Sequence, residues 1–362
     1  MSSPNGKIAL AMSGGIDSSV AGALLLEEGW EVVGVTLQLR DPSIFGDNAK
    51  EVPEQAREAT RQLGIGHHVL DCISDFERLV LAPAWDDYVA CRTPSPCLKC
   101  NEGIKFGILL DWAMENGCAA LATGHYVQLA REDGQTRLLR GRDRNKDQAY
   151  FLAGLSQKQL TRLVFPLGGH DKLWVREKAH KLGLHCADRK ESQDACFLLP
   201  DKTFQETLQE KFGSKTPSKI GDILDWNGKR LAPHNGIHNF TVGQRRGVGV
   251  GTGAKAWVRL LDPETGDVCL TNDEKDLYGY EFTVSGLSWT TCYTPAMPLE
   301  CEVQVRHRGP QVPATIFDLS NARGRVTLHR AVRSIAPGQA TVLYNGDWAI
   351  GRGWIDSGRQ RD

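Results

Sequence analysis

The chain has 362 residues, 41% hydrophobic and 24% charged, which excludes a disordered or collagen-like polymer and supplies apolar material for two or three cored domains. Lys plus Arg number 43 against 44 Asp plus Glu, so a net charge of −1 gives no global attraction for nucleic acid and leaves that role to local patches. No run of 18 apolar residues occurs, and the opening MSSPNGKIALAMSGG lacks the apolar core and cleavage site of a secretory signal, so the expectation is a cytoplasmic protein.

KIALAM at 7–12 is a short buried-type strand that enters SGGIDSS and then VAGALLLEEG. This reads as strand, glycine-rich turn and helix, the helix ending at Gly29. EVVGVTLQL (31–39) is a second strand, 51–63 a helix, GHHVLD a third strand, and 75–90 a helix that stops at the turn-rich CRTPSP. The pattern IKFGILLDWAME gives an amphipathic helix over 101–115, and CAALATG the next strand. Strands that alternate with helices and are apolar on both faces imply an α/β unit with a covered parallel sheet. VQLAREDGQTRLLRG predicts a hairpin with Asp-Gly at its turn, followed by helical segments over 147–161 and 171–183. The chain then divides into an α/β domain over 1–208, a small central domain over 209–280 and an antiparallel β-barrel over 281–362. GDILDW and AWVRLLD supply short central strands; EFTVSGLSW, ECEVQVRHRG, RGRVTLHR and ATVLYNGD alternate without intervening helices.

Two segments are locally basic. Arg140–Lys181 holds ten Lys/Arg against four acids, and Glu302–Arg333 six Arg against two. Ten cysteines are too few for a disulfide scaffold; seven precede residue 200, namely Cys72, Cys91, Cys97, Cys100, Cys118, Cys186 and Cys196.

Ser13-Gly14-Gly15-Ile16-Asp17-Ser18 opens the first helix. Adjacent glycines allow close backbone approach, and the N–H groups at a helix start form an anion nest to which Ser13 and Ser18 add hydroxyls. A carboxylate repels phosphate, so Asp17 fits such a site by helping to place Mg²⁺ on pyrophosphate oxygens. A plain helix cap is the alternative.

SGGxDS after a first strand resembles the PP-loop of the ATP pyrophosphatases (the adenine nucleotide alpha hydrolase-like fold), which adenylate an oxygen and release pyrophosphate. AMSGGIDSSVA, TPSPCLKCNEGIKF, ATGHY, KDQAYFL, SQDACF, NFTVGQRRGVG and VQVRHR, in order from residue 11 to 308, narrow the resemblance to the tRNA-specific 2-thiouridylase (MnmA/TrmU) family. The resemblance implies ATP held by Ala11, Met12, Ser13, Gly14, Gly15, Ile16, Asp17 and Ser18, with Leu37 and Gly124 against the adenosine. It implies Cys100 as nucleophile and Cys196 as carrier of the persulfide sulfur. Ser95, Pro96 and Cys97 would line the target base, and Lys146, Asp147, Gln148, Arg306 and His307 would contact the tRNA. A uridine stacked in an anticodon must be extruded to be reached. The implied partners are the anticodon stem-loop of Lys, Glu and Gln isoacceptors and a sulfur donor, either a cysteine desulfurase or a relay protein. The implied assembly is a monomer on one tRNA.

The cysteines leave two chemistries open, beside a third reading in which Cys97 is a spectator or a structural pair with Cys100. Cys97-Leu98-Lys99-Cys100 precedes the helix expected from Asn101, where the dipole favours thiolates. Cys97 stands where the family's Asp form has its carboxylate three residues before the nucleophile. One course ends in a Cys100–Cys196 disulfide; in the other, Cys97, Cys100 and Cys196 hold a [4Fe-4S] cluster with one iron open to sulfide. Competing functions are another amidating or ligating PP-loop enzyme, a cluster-dependent thiolase for a different tRNA uridine, and a non-enzymatic RNA-binding or iron–sulfur scaffold protein. The intact loop argues against the scaffold.

Overall fold

The computed structural model describes residues 5–189, 198, 202–251 and 253–360. Cys196 lies outside the described residues. Strands β1 (Lys7–Ala11), β2 (Glu31–Gln38), β3 (Gly66–Asp71), β4 (Ala120–Ala122) and β7 (Leu163–Val164) form a five-stranded parallel sheet in the order β3-β2-β1-β4-β7. The order reverses at β1, so the crevice beyond the carboxyl ends of β1 and β4 is the place where such sheets bind ligands. Helix Ile16–Glu27 covers one face; Val20, Ala21 and Leu25 are wholly buried on it, packed with Ile8 and Leu10 of β1. Helix Glu51–Leu63 lies beside it and ends on Gly64 in the left-handed conformation.

The central unit pairs β8 (Gly221–Leu224), β9 (Arg230–His234), β10 (Trp257–Leu261) and β11 (Val268–Thr271) in the order β10-β11-β8-β9. The C-terminal unit is a closed antiparallel barrel. Its strands β12 (Tyr278–Trp289), β13 (Leu299–Gln304), β14 (Val312–Asp318), β15 (Gly324–Arg333), β16 (Ala340–Asn345) and β17 (Trp348–Gln360) run in the order β12-β15-β14-β13-β16-β17, and β12 pairs with β17 to close it. Its alternating residues Val303, Val312, Ala314, Ile316, Val326 and Leu343 meet inside. The hairpin of β5 (Val127–Glu132) and β6 (Gln135–Arg140) turns on Asp133 and Gly134, both at positive φ as a two-residue hairpin requires. It extends the barrel's sheet through β6 and β17, although it belongs to the catalytic segment of the chain.

Three expectations are corrected. GHHVLD is not buried on both faces: it is the sheet's outer strand, and Gly66, His68, Val69 and Asp71 are exposed. The helix expected at 101–115 begins at Pro96, because Pro at the first position has no N–H to leave unsatisfied; it runs through a wider-wound stretch over Asn101–Ile108 to Glu115. The 147–161 segment is two single turns, Ala149–Leu152 and Gln157–Leu160, the second opened by a Ser156/Gln159 capping box. Helix Phe204–Phe212, capped by Thr203 and Glu206, was not anticipated, since its polar flanks resemble loop. Among the described residues no helix is long and apolar enough to cross a membrane.

Candidate functional site

The phosphate loop lies at the carboxyl end of β1. Gly14 has φ +72°, and a Cβ there would stand 2.4 Å from the carbonyl carbon of Gln55, so the loop is pressed onto the neighbouring helix. Gly15 is the extended residue before the helix, and no side chain caps the helix start. The first N–H groups of a helix have no intrahelical acceptor, so this end presents donors to an anion. Ser13 and Ser18 approach at 3.3 Å between hydroxyls, and the Ser18 hydroxyl donates to Gly15 O at 3.1 Å. Beneath the loop, buried Thr36 donates to Met12 O at 2.8 Å, and the His67 ring lies 2.8 Å from the same hydroxyl. Arg189 Nη1 reaches Gly14 O at 3.4 Å.

Asp17 is the electrostatic centre of the loop. Its Oδ1 accepts from Lys172 Nζ at 2.6 Å and from the Tyr126 hydroxyl at 2.7 Å. Lys172 is 8% exposed and stands at the first position of helix Lys172–Lys181, where the helix dipole opposes a cation. The ammonium thus already stands as counter-cation on the carboxylate expected to help place Mg²⁺, and hard carboxylate oxygens suit that ion. Sequence reasoning passed over Tyr126 and Lys172. The available signal was a lysine immediately after the Asp171 cap, against the dipole rule.

Gly124 touches this loop rather than an open pocket. A Cβ there would lie 3.0 Å from the Asp17 carbonyl carbon and 3.1 Å from Ser18 N, so its lack of a side chain lets the strand end meet the helix start. The resemblance sets the same residue against the adenosine, where a side chain would also fill the base pocket. His125 is packed between Phe106 and Phe165, with Nδ1 2.6 Å from the Thr123 hydroxyl. Burial, aided by Lys105, holds its pKa well below the ordinary histidine value, so the ring is neutral.

Cys97 is exposed in the first turn of its helix, after Ser95 (buried) and Pro96 (half-buried), whereas Cys100 is 4% exposed one turn on. Cys100 packs with Cys72, Phe76, Val80 and Ile104, and Leu37 and Leu198 lie against the same cluster. Leu37 also borders the core beneath β1 and β2, so it spans the space between the nucleotide side and the cysteine helix. Leu198 is two residues after Cys196, which itself lies outside the described residues. Among the described residues no three His, Cys, Asp or Glu side chains gather as a metal site.

The two segments expected to contact RNA converge. Gln148 brackets Tyr126, its Oε1 accepting from Tyr126 N at 3.0 Å and its own N donating to Tyr126 O at 3.2 Å. Asp147 is held inward: Arg140 Nε donates to it at 2.7 Å, and the N–H groups of Gly141 and Ala149 at 2.9 and 3.2 Å. Lys146 is half-buried in the preceding turn. His307 of the barrel lies over the Phe151 ring, centroids 4.4 Å apart, and Phe151 O accepts from Asn101 Nδ2 at 3.2 Å. Arg306 Nη1 donates to Arg333 O at 3.3 Å. Arg333 is itself paired with Glu274 at 2.9 Å, so one of the six arginines of the basic segment Glu302–Arg333 is already partnered. Arg245 lines a cavity of about 450 Å³ in the central unit with Lys255, Val248 and Leu270.

Three family profiles cover the chain: the tRNA methyl transferase HUP domain over 6–200, the tRNA methyl transferase PRC-barrel domain over 206–272 and the aminomethyltransferase beta-barrel domain over 280–355. The chain is 40% identical over 360 residues to the tRNA-specific 2-thiouridylase MnmA of Pelotomaculum thermopropionicum, covering 97% of each chain. It is 39% identical over 356 residues to that of Syntrophotalea carbinolica, covering 98% of this chain and 100% of the other. With that of Chloroflexus aurantiacus it shares 41% over 355 residues, covering 96% and 98%.

Proposed function

This chain belongs to the tRNA-specific 2-thiouridylases of the PP-loop ATP pyrophosphatase superfamily, and from that premise we propose how its residues divide the ATP-dependent 2-thiolation of the wobble uridine. The loop from Ala11 to Ser18 cradles the phosphates of ATP, with Leu37 and Gly124 toward the adenosine. Asp17 would hold Mg²⁺, which would supply positive charge to offset that of the phosphates. The C2 oxygen of the extruded uridine attacks the α-phosphorus, and pyrophosphate leaves. Lys146, Gln148, Arg306 and His307 hold the RNA, Asp147 acts by fixing Arg140 and the turn, and Ser95, Pro96 and Cys97 border the base. The donor, a cysteine desulfurase or relay protein, loads Cys196 as a persulfide, and its terminal sulfur attacks C2. The Cys100 thiolate then attacks the inner sulfur of Cys196; the S–S bond breaks, AMP leaves from C2 and a Cys100–Cys196 disulfide forms, which an external thiol reduces. The substrates are the Lys, Glu and Gln isoacceptors, bound by a cytoplasmic monomer.

The observation that supports this division is continuity of contact: Gln148 to Tyr126 to Asp17 joins the RNA segment to the phosphate loop, and His307 to Phe151 to Asn101 joins the barrel to the cysteine helix. A second reading rests on Cys97, exposed one helical turn from Cys100. Thiolates at i and i+3 share a helix face, so the pair suits two irons of a [4Fe-4S] cluster, with Cys196 as third ligand. Such a cluster, when bound, supplies an open iron for sulfide. Anaerobic purification with iron and acid-labile sulfide assay separates the two. Iron-free protein that thiolates tRNA and traps the Cys100–Cys196 disulfide supports the persulfide course. About four irons per chain, lost with activity in Cys97→Ala, overturn it in favour of the cluster.

A further inference from the structure

The helix that carries Cys97 and Cys100 is braced from the barrel. Glu102, two residues after Cys100, accepts from Arg352 Nε at 2.9 Å and Nη2 at 2.8 Å, and the two side chains are only 22% and 10% exposed. Arg352 belongs to β17. Its Nη1 donates to Gly286 O at 2.8 Å, and its guanidinium lies 4.6 Å from the Trp354 ring. Gly154 leaves room for the pair, since a Cβ there would stand 1.6 Å from Glu102 Oε1 and 3.0 Å from Arg352 Nε. Four segments far apart in sequence are therefore shaped around one ion pair. The other end of the cysteine segment rests on the barrel too. Thr93 N donates to Pro337 O at 2.7 Å, Gln339 Nε2 donates to Thr93 O and Pro94 O at 3.2 and 3.0 Å, and Arg92 Nη2 reaches Ile355 O at 3.2 Å.

A buried ion pair gains little stability over well-packed apolar side chains, so stability alone does not explain this arrangement. A two-pronged guanidinium–carboxylate contact does fix orientation, because the planar fork accepts one alignment. The cysteines lie between the two points at which the barrel holds their segment. We infer that Arg352, acting through Glu102, is a positioning residue for sulfur transfer, setting the helical turn that presents Cys97 and Cys100 to the activated base. The inference rests on the proposed role of Cys100. The side chains of Ser13, Asp17 and Ser18 bond to one another, to Gly15, Tyr126 and Lys172, whereas the Glu102–Arg352 pair holds the cysteine helix, so adenylation and sulfur transfer depend on different braces.

The test compares R352Q, R352K and the double variant E102Q/R352Q. R352Q leaves a half-buried carboxylate unpaired and lowers the melting temperature; the double variant removes both charges at nearly constant shape and recovers it. A pair that serves stability alone would recover sulfur transfer as well. Positioning instead predicts that the double variant and R352K release pyrophosphate with tRNA at the wild-type rate in a single turnover, yet form 2-thiouridine about 10²-fold more slowly, the scale of a 1 Å misplacement. R352K keeps the charge and guards against a double variant that does not fold. Wild-type 2-thiouridine formation by R352K or by a folded double variant overturns the inference, as does an equal loss of both steps. Thiolation by C100A would instead remove the premise, and that result is read without touching Arg352.

Discussion

Replacing Gly124 by alanine tests what this glycine is for. The added methyl carbon would meet the Asp17 carbonyl carbon at 3.0 Å, Ser18 N at 3.1 Å and Asp17 Cβ at 3.2 Å. Two of these three atoms are backbone, so relief comes from moving the start of helix Ile16–Glu27 by a few tenths of an ångström. Overpacking of this kind costs about 1–3 kcal/mol, and contacts at 3.0 Å or more put the cost near the lower end, about 1 kcal/mol. For a domain of this size that is a melting shift of about 2–4 °C. The same shift draws the helix-start N–H groups away from the phosphates. Hydrogen bonds to charged groups contribute about 1.5–3 kcal/mol each, and losing about 1.4 kcal/mol weakens binding about tenfold. Displacement of a fluorescent ATP analogue, with inorganic pyrophosphate and adenosine as separate competitors, reads both moieties. Pyrophosphate should weaken about tenfold and adenosine by much less. Equal weakening of the two, with an unchanged melting temperature, would refute the steric argument and make Gly124 a wall of the base pocket alone.

Lys172→Met should weaken pyrophosphate about tenfold in the same competition, one ammonium contact to a phosphate being of that order. Its cost to folding should be only about 1 kcal/mol, because Asp17 is 36% exposed and water screens the pair; unchanged pyrophosphate affinity would exclude the lysine from the phosphate site. His125→Gln should flatten the acid limb of stability. Burial lowers the folded-state pKa of His125, so below about pH 6.5 the unfolded chain binds a proton that the folded chain refuses, and stability falls as pH falls through that window. Urea melts at pH 7.5 and 5.5 should therefore differ less in the variant than in the wild type, and identical differences would count against the assignment. Iodoacetamide should label exposed Cys97 and Cys292 first. Cys72, pushed up to about 11 by burial, and Cys301, pushed up to about 12 by burial, should react only on denaturation, and early labelling of either by mass spectrometry would contradict the packing.

Much of the fold could be read from local pattern. The first strand, its glycine turn and the helix at 51–63 follow from apolar runs and breakers, and Gly29 and Gly64 stand in the left-handed conformation where helices end. The alternating strands of the barrel follow from a period of two. What escaped depends on partners distant in the chain. β3 contains valine and leucine like a central strand, and only the sheet order makes it an edge. Local reading finds the carboxylate of Asp17 but not its partner, because Lys172 lies 155 residues away. Glu102 and Arg352 carry no motif at all, since an ion pair 250 residues apart has no period, spacing or turn chemistry to announce it.

The brace between the halves also sets an order of assembly during synthesis. β17 is made after every strand it joins, and Arg352 follows Glu102 by 250 residues. At about 5–20 residues per second, the carboxylate of Glu102 waits about 12–50 s for its partner. The nucleotide cradle, built from the early strands β1 to β4, closes well before that. A nascent chain therefore acquires its phosphate loop first and the final setting of its cysteine turn last, when the barrel shuts.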